Sequence, residues 1–390
     1  MARVGVIKTP HGEINTPAFV VVGTKATVKA LRPEDLSEAG ALVVLANTYH
    51  LYLQPGEKIV QKLGGLGKFM NWDGPTMTDS GGFQAFSLGA AFGRSGLSKF
   101  VGGGTEISAD EAEPKLAKIT EDGVEFKSHI DGSEHFFTPE KSIQIQHALG
   151  ADIIFAFDEC TSPAESREYQ KEAMERTHRW AERSIAEHNR LNRLVSVSAS
   201  DSRESALFGI VQGGRFFDLR EESAKAIRGM DFAGFGIGGS FNKDDLGDVL
   251  KAVNKILPEG KPRHLLGIGE PMDLFLGVEN GADTFDCVAP TRLARNGSLY
   301  TEKGRINILN GKFSGDDSPI DKNCSCHTCR NYTKGYLHHL FKAKEINAGV
   351  LSSIHNVHFI VNLVKKIRRS ILDGNFGEFK KEFIKSYYRA

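Results

Sequence analysis

D-T-F-D-C-V-A-P-T-R-L-A-R-N-G, Asp283 to Gly297, is the stretch from which the fold can be read. Ala282, Phe285, Cys287 and Val288 give it the apolar profile of a buried strand, and Pro290, with no N–H, ends any ladder. Asp286 stands at the end of that strand, and Arg292 and Arg295 follow within a few residues. An acid at a strand end followed by guanidinium groups suits a site that holds an anion while the acid does chemistry on it. In isolation the same acid would read as a structural ion pair. The rest of the chain argues for chemistry.

Seven further apolar runs lie upstream, at 19–22, 42–46, 76–78, 153–157, 207–211, 232–237 and 264–268; with 282–285 they make eight strand candidates. Most end in glycine or a polar residue: Asn47, Asp79, Asp158, Gln212 and Asp286 all stand at such ends. Helix-like segments at 33–39, 54–63, 165–191, 218–228, 243–256 and 271–280 separate several of them. Alternating strands and helices imply a parallel sheet, and eight repeats imply closure into a TIM-type (β/α)8 barrel, an α/β fold with its active site at the strand C-termini. An open doubly wound sheet is the rival and places ligands at the same ends. Residues 85–125, glycine-rich and then charged, read as a long loop near the mouth. A hairpin is expected across Gly132 and Ser133, and a polar loop at 192–206.

The chain has 390 residues, 40% hydrophobic and 25% charged, enough for one large domain with an appendage. No apolar run approaches the ~20 residues of a membrane span, and the first twenty residues lack a signal-peptide layout. Five cysteines, three of them at 324–329, argue against a disulfide framework and for a reducing, cytoplasmic setting. Net charge is zero overall, but from Asp321 onward 13 Lys and Arg face 5 Asp and Glu. A basic end on an acidic body points to a polyanionic partner.

C-S-C-H-T-C places Cys324, Cys326 and Cys329 within six residues, a spacing suited to tetrahedral zinc. His355, His358, His327, His338 and His339 are the candidates for a fourth ligand. Three thiolates and one imidazole make a closed, structural site rather than a catalytic one. Residues 355–386 carry apolar positions at helical spacing with Lys365, Lys366, Arg368 and Arg369 between them, an amphipathic basic helix. D-S-G-G-F-Q (79–84) pairs an acid with glycines that let amides approach a ligand, and Phe83 can offer a ring face. F-D-E-C (157–160) places Asp158 where a purine edge could supply donors. I-V-Q-G-G (210–214) and G-I-G-G-S (236–240) are glycine-ended strands.

Taken together, these motifs, with S-H-I-D-G (128–132) and His355-Asn356, resemble the bacterial tRNA-guanine transglycosylase (queuine tRNA-ribosyltransferase) family from about Thr9 to the C-terminus. The resemblance implies a barrel body (1–310) with a zinc subdomain (311–390), a homodimer, and exchange of wobble guanine in tRNA for a 7-deazaguanine. It implies Asp286 as nucleophile and Asp79 as general acid/base. Asp158, Gln212, Gly239 and Ser80 would bind the base, Phe83 and Leu266 would sandwich it, and Arg292 and Arg295 would read the anticodon loop. Cys324, Cys326, Cys329 and His355 would hold one structural Zn2+. Ser240 to Asp244 departs from the family's usual L-A-V-G-E, which leaves open whether the aminomethyl base or queuine is taken. Glu270 stands where a lysine is usual. A non-catalytic RNA-binding subunit of the same fold would have lost one of the two acids; both are present here.

Overall fold

The computed structural model describes residues 1–91, 117–198, 204–238 and 245–388. β1 (Gly5–Thr9) and β2 (Gly12–Thr16) form an antiparallel hairpin, followed by β3 (Ala18–Val22), β4 (Val44–Ala46) and β5 (Thr76–Thr78). A small antiparallel sheet comes next: β6 (Ala117–Ile119), β7 (Val124–Lys127) and β8 (Glu134–Phe137). Then come β9 (Ile153–Phe155), β10 (Ala206–Val211), β11 (Gly234–Ile237), β12 (Arg263–Leu265) and β13 (Thr284–Cys287), and a last hairpin of β14 (Ser298–Thr301) and β15 (Gly304–Asn307). Eight parallel strands close in the order β3-β4-β5-β9-β10-β11-β12-β13, with β13 pairing back onto β3. All eight apolar runs are barrel strands, flanked by helices as a TIM-type α/β fold requires.

Side chains alternate across the barrel wall. Val20, Leu45, Met77, Ile153, Phe155 and Phe208 fill the interior, while Phe19, Val44, Ile154, Leu207 and Phe285 face the helices. Thr284 pairs with Ala18 and Asp286 with Val20, so both β13 side chains lie on the interior face. A one-residue slip of β13 would aim Asp286 at the helix layer instead. The two acids of the quoted stretch therefore divide their work by height. Asp283, at the strand's start, accepts from Arg263 N at 2.8 Å and Arg3 Nε at 2.8 Å, while Asp286 stands at the C-terminal end. Asp152 does the corresponding work under β5 and β9, accepting from Thr76 N at 2.8 Å and meeting His11 Nδ1 at 2.7 Å. That contact pins the β1–β2 hairpin beneath the barrel, and Ile14 is buried against the interior cluster.

Several element boundaries differ from expectation. The helix expected at 54–63 starts later, as Glu57–Lys62, because Pro55 and Gly56 (φ 102) stand before it, and an unexpected helix, Thr48–Leu53, precedes them. The 85–125 loop is overturned at both ends: helix Gly82–Ala91 occupies the first part and β6 and β7 the last, while 92–116 lie outside the described residues. Helix Arg167–Ser198 runs into the expected 192–206 loop. The basic C-terminal helix begins earlier and breaks, as Ile346–Leu372 and Phe376–Tyr388, where Gly374 takes φ 75. The first of these buries Val357, Ile360 and Val364 in the main core, and a second small core gathers Leu299, Ile308, Phe313 and Leu337 around Cys326 and Cys329.

Candidate active site

Asp79 follows β5 in a turn built to hold it. Thr48 N and Gly81 N donate to its Oδ1 at 3.0 and 3.1 Å, and Asn47 Nδ2 donates to Oδ2. Gly81 takes φ 78, and a Cβ there would stand 3.1 Å from the Tyr49 backbone nitrogen, so only glycine fits the turn. Burial outweighs the three donors, and with the nearby charge of Asp286 adding to it the carboxyl is pushed up to about 7.

Asp286 is the second acid. Its side chain is mostly buried, at 13% exposure, and Oδ1 meets both Gly267 N and His264 Nε2 at 3.0 Å. The two carboxylates thus share the mouth, Asp79 held by three donors and Asp286 by Gly267 N and His264.

Asp158, at the end of the run that begins with β9, is buried between Ser80 Oγ at 2.9 Å and Gln212 Nε2 at 2.6 Å. Burial, helped by the Glu159 charge and opposed by those two donors, pushes its carboxyl up to about 6. Gln212 is itself buried, its backbone N–H donating to Ser223 Oγ at 3.1 Å. Three of the expected base-binding residues are therefore one connected cluster. Leu266, half-buried, packs on the interior beside Gly236 and Gly238. Phe83 is exposed in the first turn of helix Gly82–Ala91. Gly239 and Ser240 to Asp244 lie outside the described residues.

Arg292 and Arg295 share one side of the short helix Ala289–Arg295. Arg292 is exposed. Arg295 is half-buried, its Nη1 has no hydrogen-bond partner among the described residues, and burial, with the Arg292 charge adding, lowers its pKa. Glu270 lies 3.8 Å from Arg305 Nη1.

Cys324, Cys326, Cys329 and His355 bring their ligand atoms within 4.8 Å of one another, which suits a bound metal ion. His355 Nε2 meets the Tyr300 carbonyl at 2.7 Å, so Nδ1 faces the thiols, 3.3 to 3.7 Å away. Among the competing histidines, His338 contacts the Ile308 carbonyl instead. The next residue, Asn356, accepts from Tyr300 N at 3.1 Å and donates to Pro290 O and Ser298 O at 3.0 Å each.

The family model described as "Queuine tRNA-ribosyltransferase" matches residues 1–389. The chain belongs to the queuine tRNA-ribosyltransferase family. Relatives carrying that name include one from Thermoanaerobacter pseudethanolicus, 49% identical over 99% of this chain and 94% of the relative. Those from Desulforamulus reducens and Listeria innocua are 48% and 46% identical, again over 99% of this chain, and over 95% and 93% of their own lengths. Membership makes the chain a tRNA-guanine transglycosylase, an enzyme whose family acts on tRNA and guanine bases. No helix among the described residues is long and apolar enough to cross a membrane.

Three residues of the site carry little signal in the sequence. Asn47 is only the polar end of an apolar run, and Thr48 follows it with no motif of its own, though together they hold Asp79. His264 lies within an apolar run; an ionisable ring on its interior face is its only signal.

Proposed function

We propose that this enzyme exchanges guanine at wobble position 34 of tRNAs with GUN anticodons (those for Asp, Asn, His and Tyr) for a 7-deazaguanine, 7-aminomethyl-7-deazaguanine first among them. Exchange at a sugar carbon with retention calls for two displacements, so one carboxylate attacks and another moves protons. Asp286 is assigned the attack on the ribose anomeric carbon, and Asp79 the proton of the departing and arriving bases. The observation that carries the assignment is the pair itself: two strand-end acids near enough for one charge to raise the other, with Asp79 near 7 and so able to give and take a proton at neutral pH.

Asp158, Gln212, Ser80 and Gly239 are assigned to the base edge, and Phe83 and Leu266 to its faces. A wobble base must leave its stack to reach a barrel mouth, which favours such a clamp. Arg292 and Arg295 are assigned to the single-stranded anticodon loop. Zinc is the ion assigned to the Cys3His cluster, one per chain and structural: that donor set is zinc's, and it leaves no open position for substrate. The same reading divides the chain into a catalytic body, 1–310, and a zinc subdomain, 311–390, and makes the enzyme a cytoplasmic homodimer.

Asp286→Asn tests the central step. Incorporation of labelled guanine into tRNA should be lost, along with the covalent RNA adduct on denaturing gels; retained exchange removes Asp286 from its role.

A further inference from the structure

A line of contacts runs along the inner wall from β13 to β12 and back. Thr284 Oγ1 meets His264 Nδ1 at 2.8 Å, and His264 Nε2 meets Asp286 Oδ1 at 3.0 Å. His264 is fully buried, its ring tilted against Phe155 with centroids 5.3 Å apart. A carboxylate only accepts, so Nε2 carries the hydrogen; in the neutral ring Nδ1 is then an acceptor, filled by the Thr284 hydroxyl. Gly267 N donates to the same Oδ1, and Oδ2 has no hydrogen-bond partner among the described residues.

We infer that His264 is a positioning residue for base exchange, fixing Oδ1 of Asp286 so that Oδ2 is the attacking atom. The inference rests on Asp286 being the nucleophile. In the first displacement the Oδ2–C1′ bond forms as the C1′–N9 bond breaks. The bonding pair leaves with guanine, which takes a proton from Asp79. Oδ1 becomes the ester carbonyl and keeps both donors. In the second, N9 of the incoming base attacks C1′ and gives its proton to Asp79, and the Oδ2 pair returns to the carboxylate. The donors on Oδ1 stabilise that carboxylate as it departs and hold it for the next turnover.

The test uses the full-length metal-loaded enzyme and unmodified tRNA. His264→Phe keeps a ring but removes the donor, and His264→Gln restores an N–H. Thr284→Val removes the hydroxyl at nearly constant shape. In His264→Phe, kcat for labelled-guanine exchange and the single-turnover rate of adduct formation should fall about 10- to 100-fold, with KM for tRNA and guanine within about threefold. His264→Gln should recover most of that loss, and Thr284→Val should lose several-fold in kcat. Wild-type kcat in a folded His264→Phe, a glutamine variant as slow as phenylalanine, or a loss confined to KM overturns the inference. Wild-type kcat in Thr284→Val overturns it whether or not the phenylalanine variant folds. Asp286→Asn is run alongside: if it still exchanges guanine the nucleophile assignment fails, whereas an inert Asp286→Asn beside a fully active His264→Phe refutes the positioning role alone.

Discussion

Asp79→Asn should make the enzyme inert and, above neutral pH, more stable. The carboxyl's ordinary value is 3.8, and in the folded chain burial pushes it up to about 7. Between those values the native state binds more proton than the unfolded chain, so stability falls as pH rises through the window and levels off above 7. At ~1.4 kcal/mol per unit, Asp79 costs the folded enzyme about 4 kcal/mol at pH 8 and about 1.6 kcal/mol at pH 5. The amide of Asp79→Asn has no charge to desolvate. It keeps an oxygen for Thr48 N and Gly81 N and loses the Asn47 contact, a pH-independent penalty of about 1 kcal/mol. The variant should therefore melt about 3 °C above wild type at pH 8 and within about 1 °C of it at pH 5, since a chain of this length shifts roughly 1 °C per kcal/mol. Scanning calorimetry at the two pH values, with guanine exchange measured on the same samples, reads both halves. A melting difference that does not change with pH refutes the raised carboxyl, and with it the proton-carrying role of Asp79.

Because burial pushes Asp158 up to about 6, one of its oxygens turns from acceptor to donor as pH falls below that value; KM for guanine should rise there by up to about tenfold per unit, and Asp158→Asn should flatten the profile. A wild-type KM independent of pH from 5 to 8 would contradict it. Metal analysis should find about one zinc per chain, and Cys326→Ser should lower folding yield; a metal-free, fully folded preparation would overturn the structural role. In competition between the aminomethyl base and queuine, read by mass spectrometry of tRNA nucleosides, the aminomethyl base should dominate, and preferential queuine incorporation reverses the proposed substrate order.

The barrel was legible because burial on both faces makes its strands short, nearly continuous apolar runs, and the acids that end them sit where the chain leaves the core. Asp286 could be read for that reason, as could the thiol triplet, whose ligands are local in sequence. His355 was harder: five histidines compete in sequence, and only the docking of helix Ile346–Leu372 brings one of them to the thiols. Asn47 and His264 were illegible because their roles are long-range, 32 and 22 residues from the carboxylates they touch. The 85–125 segment misled because glycine and charge mark a break in the barrel pattern without showing what fills it; helix Gly82–Ala91 and β6 occupy its ends.

His355 and Asn356 are consecutive rungs of one helix. The first completes the Cys3His cluster; the second is stitched to the backbone at Pro290, in the helix that carries Arg292 and Arg295. An ion held there would be mechanically in series with the arginines. If those arginines hold the anticodon loop as proposed, chelation should slacken the grip on RNA before it disturbs the carboxylates, making a knot of sulfur and nitrogen the tensioner of a surface it never touches.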